Sequence, residues 1–580
     1  MKTKWGRDLN PDAVLQEYPR PQLVRDRYIN LNGYWEYSIS AAAEKPAEFD
    51  GHILVPFSPE AELSSVNRIL MPNETLWYRR LISIPEGFFI GRLLLHFGAV
   101  DQIAAVYLNG EFAGKHVGGF LPFTIDLTAL WKSGQENVLV VRVQDGTDTS
   151  WHTRGKQKIK RGGIWYTPQS GIWQTVWMES VPADYIQGLR ICPDFDASQV
   201  EITVQAEAAF PCEVEGAGST VSGVTNQPLI LKLDAFEAWT PETPTLYPIT
   251  VRMGQDQAQS YFGMRKFSVE TDSEGVPRFY LNNQPIFQSG LLDQGYYSDG
   301  MLTAPADEAL IADIQLAKEM GFNMLRKHIK VEPLRWYYHC DRLGMLVWQD
   351  MPNGGEKYSN LLITMPVVIA PRLRDNRYKL FGRKSQEGRE QFLRELDEML
   401  ALLHNQTSIA VWVPFNEGWG QFDARQVSDH VRQQDLSRPI DATSGWYDQQ
   451  CGDFFSSHVY FKKYRFKKDD GQRAVVLSEF GGYNFRIQGH AFNQKDFGYK
   501  RFTDQKAFET ALKKLYADQI QPAVAQGLAA AIYTQLSDVE DELNGLITYD
   551  REVCKLPPAF FREINQALYK QFREESSKGK

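Results

Sequence analysis

Cysteine is scarce in this 580-residue chain. Its five residues (Cys192, Cys212, Cys340, Cys451 and Cys554) are odd in number, widely spaced and without a CxxC pair. That pattern excludes a disulfide framework and reads as reduced thiols in a cytoplasmic protein, with Cys192–Cys212 in an exported form as the one alternative. Long apolar runs are missing too. No stretch reaches the about eighteen residues that a membrane span needs. The opening Met1 to Asp8 lacks the apolar core of a secretory signal. A basic excess is also absent: 63 Lys and Arg face 72 Asp and Glu, the reverse of a nucleic-acid footprint. Neither HExxH nor paired His/Cys spacing occurs, so no metal and no cofactor is expected.

What is present is a long, ordinary globular composition, enough for roughly two to four domains. The first part is β-structure. Leu93 to Phe97, Ala104 to Leu108 and Val138 to Val143 are short apolar or alternating runs, separated by turn signals such as Asn109-Gly110 and Asp145-Gly146. No long helical period interrupts them, which predicts a jelly-roll β-sandwich over 1–182. Val200 to Val204, Leu229 to Leu233 and Tyr247 to Val251 predict a smaller immunoglobulin-like β-sandwich over 183–272. From 273 to 580 strand-like runs alternate with helix-like ones. Eight strand candidates occur, beginning at Pro285 and including Phe322 to Arg326, Met345 to Trp348, Ile409 to Val413, Ile440 to Ala442 and Ala529 to Tyr533. Most precede a helical pattern, as in a (β/α)8 TIM barrel. The end reads as an amphipathic helix from Phe561 to Glu575 and a polar tail.

Two strings in that last region carry the chemistry. Val411-Trp412-Val413-Pro414-Phe415-Asn416-Glu417-Gly418 and Val475-Val476-Leu477-Ser478-Glu479-Phe480-Gly481 are apolar runs that end on a glutamate. Burying an unpaired carboxylate is costly, so a strand has little structural use for one. Barrel enzymes place reactive groups at the carboxyl ends of strands, and these are the fourth and seventh. Two such acids cleave a glycosidic bond with retention when about 5–5.5 Å apart, one as acid/base and one as nucleophile. Asn416, beside the first, suits a bond to the sugar 2-hydroxyl. An aromatic share of 13%, with 14 Trp and 26 Tyr, fits stacking on sugar faces and fits large β-rich cores equally.

Asn416-Glu417 and Ser478-Glu479-Phe480-Gly481 resemble the two active-site signatures of glycoside hydrolase family 2, which includes β-galactosidases, β-glucuronidases and β-mannosidases. Leu76-Trp77-Tyr78-Arg79-Arg80, Leu108-Asn109-Gly110 and Ser170-Gly171-Ile172-Trp173 are similar to the family's amino-terminal sandwich, and Phe262-Gly263-Met264-Arg265 to the exit from its second domain. Gly321 to Arg326 and Leu343 to Trp348 resemble its second and third barrel strands. The resemblance implies Glu417 as acid/base and Glu479 as nucleophile, with Arg326 holding Glu479 anionic. His458 and Tyr460 are candidate donors to the same carboxylate or the sugar. Trp419, Trp446 and Trp348 are candidate stacking platforms, each equally at home in a core. The resemblance also implies homodimers or tetramers.

The sugar is not named by these motifs. Family galactosidases and glucuronidases place an Asp where this chain has Trp165. Their histidine-containing loop after the first barrel strand reads here Gly290 to Gly295, with Asp293 as its acid. The glucuronidase Asn-x-Lys element corresponds to Glu542 to Leu546, which lacks lysine. One basic stretch pulls toward an anionic sugar, Lys462 to Lys468, offset by Asp469 and Asp470; a second, Arg154 to Arg161, is expected as a mobile loop of the amino-terminal sandwich. The leading expectation is a retaining exo-glycosidase of β-galactosidase kind acting on an oligosaccharide or glycoside. The alternatives are a β-glucuronidase or other enzyme for an anionic sugar, a transglycosylase, and a non-catalytic carbohydrate-binding protein.

Overall fold

The computed structural model describes residues 1–42, 44–359, 362 and 373–577. Part of the long insertion after the third barrel strand, and Lys578 to Lys580 of the expected polar tail, lie outside the described residues.

The amino-terminal sandwich packs a four-stranded sheet against a six-stranded one, all antiparallel. Its hairpin between Ile103–Leu108 and Glu111–Val117 turns through Asn109 and Gly110, at φ +54° and +86°. Two successive left-handed residues match the right-handed strand twist, which is why Asn-Gly marks the turn in the sequence. The second sandwich pairs the sheet of Gly188–Asp194, Gln199–Gln205 and Pro228–Lys232 with that of Pro211–Gly216, Ser219–Val224, Tyr247–Met253 and Asp256–Phe262. Between the two sheets lie Val200, Ile202, Val214, Leu231 and Val251.

The carboxy-terminal region builds a parallel barrel. Its strands are β1 (Gln288–Asp293), β2 (Met324–Lys327), β3 (Leu346–Asp350), β4 (Ile409–Val413), β5 (Phe454–Val459), β6 (Ala474–Gly481) and β7 (Leu528–Thr534). They neighbour one another in the order β4-β3-β2-β1-β7-β6-β5. The gap between β4 and β5 is closed by the extended segment 439–444, the fifth strand candidate of the sequence. Trp412 N donates to Pro439 O at 3.1 Å, Asp441 N to Trp412 O at 2.9 Å, and Asp453 N to Ile440 O at 2.8 Å. Helices α1 (Asp307–Glu319), α2 (Leu334–Leu343), α3 (Gln386–Leu403), α4 (Ala424–Gln434), α5 (Gln505–Leu515) and α6 (Pro558–Ser576) cover the outside. Among the described residues no helix follows segment 439–444 or β5.

The barrel interior is split by depth. Its lower part is a dry cluster of Leu292, Met324, Leu346, Trp348, Val411, Val476 and Ile532. The hairpin of Phe267–Thr271 and Pro277–Leu281 plugs it from below, adding Phe267, Phe279 and Leu281 to that cluster. The upper part is polar, and the sandwich reaches it. Phe120, Leu121, Tyr166 and Trp173 of the amino-terminal domain share one hydrophobic cluster with barrel residues such as Leu310, Val331 and Trp336.

Candidate active site

Strand alternation decides which side chains meet at the carboxyl end of the barrel. Arg326, near the end of β2, points inward and is fully buried. Its guanidinium pairs with both oxygens of Asp350 at the end of β3, at 2.9 and 3.0 Å. The same group donates to Glu479 Oε1 at 3.1 Å and to Asn416 Oδ1 at 2.8 Å. One planar cation with donors in a fixed fork thus ties three strand ends together. Tyr460 completes the setting of Glu479 by donating its hydroxyl to the other carboxylate oxygen.

Glu417 sits opposite. Its backbone is left-handed, at φ +52°, an uncommon conformation for a residue with a side chain. Hydrogen bonds from Glu417 N to Ser444 O at 3.0 Å and from Trp419 N to Asn416 O at 2.9 Å hold that turn. His458, from β5, links the two acids, with Nδ1 2.7 Å from Glu417 Oε1 and Nε2 3.5 Å from Glu479 Oε1. The Ser444 hydroxyl lies 3.3 Å from the same Nε2. One donor atom from each of Glu417, His458 and Glu479 falls within 4.8 Å of the others.

Both carboxylates are buried, at 8% and 4% exposure, yet their affinities for the proton move in opposite directions. For Glu417 burial dominates and raises it, with Glu479 adding to the rise, against His458. Burial acts on Glu479 as well, but His458 and the Arg326 cation outweigh it and hold the group below the usual carboxylate range. Two acids pushed apart in this way are set up for different roles in proton transfer.

Two buried donors here have no partner among the described residues: the Asn416 amide nitrogen and the Trp419 indole nitrogen. Trp419 also stands 5.2 Å from Trp165, and Trp446, half-buried, stands 5.9 Å from His458. Trp348 and Asp293 belong elsewhere. Trp348 is fully buried in the lower barrel, packed on Phe454 and bonded to Gln288 at 2.7 Å, so no ring face is open to a ligand. Asp293, one residue beyond inward-facing Leu292, points the other way and pairs with Lys327 at 2.7 Å, behind the strands and not at the mouth.

Several further groups line the site without a sequence motif to mark them. Asp350 closes β3 two residues after Trp348, a position that strand-end reasoning could have found. His328, two residues after Arg326, bonds Asp350 at 3.0 Å and is held well below the usual histidine range, first by burial and then by Lys156. Tyr499 stacks on Tyr460 at 3.8 Å from a loop that carries no signal.

The stretch Arg154 to Arg161, expected as a mobile loop, is instead packed on the barrel mouth. Arg154 bonds the Gly355 carbonyl, and Arg161 reaches Glu540 and Asp541 at 2.9 and 3.1 Å. Between them Lys156 is buried, 5.7 Å above the Trp419 ring and 3.9 Å from Glu542, with no hydrogen-bond acceptor among the described residues.

Glu417, His458 and Glu479 are also the one three-ligand group among the described residues that offers metal-binding geometry. The Arg326 cation already occupies the Glu479 carboxylate from behind, and a second cation between the acids would have to displace the proton that burial favours on Glu417. The set fits a proton-transferring pair better than a metal shell.

Comparison with known proteins agrees on one family along the chain. Three successive models match: the sugar-binding domain of glycosyl hydrolases family 2 over 65–182, a further family 2 domain over 185–265, and the family 2 TIM barrel domain over 277–553. A putative beta-glucuronidase of Formosa agariphila is 28% identical over 300 residues, 48% of this chain and 35% of that protein. A beta-galactosidase of Thermoanaerobacter pseudethanolicus is 26% identical over 318 residues, 49% of this chain and 41% of that protein. These matches thus span well under half the length of those relatives. Among solved structures, the beta-D-glucuronidase of Dictyoglomus thermophilum superposes with a TM-score of 0.72 at 19% identity, covering 95% of this chain and 98% of that one. At that identity it speaks for the fold.

Proposed function

Because the chain belongs to glycosyl hydrolase family 2, we propose that it removes a terminal β-linked sugar with retention of configuration. The observation that carries this reading is the pair of glutamates around His458, close together and with proton affinities shifted in opposite directions. In the first step the Glu479 carboxylate attacks the anomeric carbon. The glycosidic C–O bond breaks, and Glu417 gives its proton to the departing oxygen. In the second step Glu417 takes a proton from water, the hydroxide attacks the same carbon, and Glu479 leaves as a carboxylate. Arg326 and Tyr460 hold Glu479 ionised and oriented, and the unpartnered Asn416 amide is free to bond the sugar 2-hydroxyl.

A β-galactoside is the first substrate to test, in keeping with the named galactosidase relative. Lys156 favours the second reading, a uronide: a buried ammonium with free donors at the mouth suits a sugar carboxylate. A panel of nitrophenyl β-galactoside, glucoside, mannoside, glucuronide and galacturonide decides between them. Turnover of none, or unchanged turnover in Glu479→Ala, would sink the glycosidase reading. The five free cysteines support a reducing compartment, and no helix among the described residues is long and apolar enough to cross a membrane.

A further inference from the structure

The barrel flank beside β5 has a groove where a helix would otherwise lie. Residues 460–473 run as a loop, and the groove opens between that loop, α5 and the segment leading to Lys500. Val459, Phe480 and Tyr483 form an apolar floor. The rim carries Lys462, Lys463, Lys500 and Lys514, against Asp518 as its acid, 3.9 Å from Lys514. Lys462, Lys463 and Lys500 make no ion pair among the described residues. Lys467 and Lys468, from the same basic stretch, line a different hollow with Asp469 and Asp470. The sequence run therefore divides between two hollows: Asp469 in the other one is paired with Arg473, while Lys462 and Lys463 face this groove in a chain of net charge −9.

Two further features point to a ligand. Phe461 is 64% exposed beside these lysines, so its ring face is open to a ligand. Tyr499 meets Phe461 edge-on at 5.1 Å and stacks on Tyr460, whose hydroxyl bonds Glu479. The inner wall of the groove is thus the back of the active-site wall. A flat apolar face among unpaired cations suits a chain whose sugar C–H faces alternate with negative substituents. We propose that this groove is a secondary binding site for an anionic glycan bearing carboxylates or sulfates, separate from the site that cleaves.

The test uses the full chain and three soluble polymers in affinity electrophoresis: polygalacturonate, dextran sulfate and neutral dextran. The two charged probes distinguish carboxylate from sulfate recognition, and either suffices. Binding is expected for at least one of them, falling with salt, and not for dextran. Lys500→Glu/Lys514→Glu should weaken that binding roughly tenfold or more, and Phe461→Ala should weaken it in the native-charge background. Both variants should keep the melting temperature and the turnover of a small aryl glycoside. Unchanged retention of the charged polymers by both variants, or equal binding of dextran, overturns the site. Preference for polyglutamate over both charged polysaccharides overturns the assignment to a glycan.

Discussion

Glu417 and Glu479 are the same residue type, buried to similar depth and bridged by one histidine. What separates them is their second neighbour. Behind Glu479 stands a fully buried guanidinium fixed by Asp350, and at its front a tyrosine hydroxyl. Among the described residues Glu417 has no such fixed cation, and Lys156 acts on it only from a distance. Burial is therefore only partly compensated at one acid and overcompensated at the other. The division of labour comes from the surroundings and not from the carboxylates.

The comparison breaks most severely if a member is removed. Glu479→Ala should lower kcat by at least about 10⁴-fold, roughly 5 kcal/mol or more of transition-state stabilisation. Steady-state turnover on the best substrate of the panel measures it. Glu417→Gln should cost about 10²–10⁴-fold on a glycoside with a poor leaving group. The cost should be smaller in bond cleavage for a nitrophenyl glycoside, whose leaving group needs no proton, and single-turnover kinetics on both substrates reads the difference. Asn416→Ala should lose about 10²-fold on the normal sugar and far less on its 2-deoxy analogue, because the lost bond is to the 2-hydroxyl.

The pH profile sharpens the contrast with the smallest perturbation. The proposed mechanism needs Glu479 ionised and Glu417 protonated. With Glu479 held low, the acid limb of kcat/KM should fall below the usual carboxylate range. With Glu417 raised, the alkaline limb should fall above it. Arg326→Met removes a lowering influence on Glu479, so its acid limb should move toward neutrality and the active window should narrow. The same change leaves Asp350 buried without its cation, at a cost of about 3–5 kcal/mol. Arg326→Lys, which keeps a charge, serves as the comparison. An acid limb unmoved in Arg326→Met would mean that His458 and Tyr460 alone hold Glu479 down.

The β-rich domains were readable because alternation and turn residues act locally, as at Asn109-Gly110. The eight barrel strands were readable because each is an apolar run with a boundary on either side, even 439–444, which is tied in by a few hydrogen bonds. The two acids stood out for the same reason: a charge ending an apolar run is a local anomaly. Trp348 and Asp293 misled because strand position gives the end of the barrel but not, without the register, the side or the depth. Lys156 and Tyr499 were illegible as site residues because they arrive on loops from distant sequence, placed by docking and not by any pattern of their own. Of the two basic stretches, one proved to be threaded with acids from the barrel, and charge counting along the chain has no access to that pairing.

The hydrophobic cluster shared by Phe120, Leu121, Trp173 and the barrel helices has a consequence for assembly. The sandwich leaves the ribosome first, with those aromatic side chains facing no partner until several hundred residues later, when the barrel arrives to cover them. During that interval the nascent chain carries a sticky surface that invites chaperones or premature association. Once docked, the two domains should melt together, so calorimetry should give one shared transition for sandwich and barrel instead of independent steps. A barrel expressed alone would expose the other half of that surface and lack the loop that brings Lys156 to its mouth.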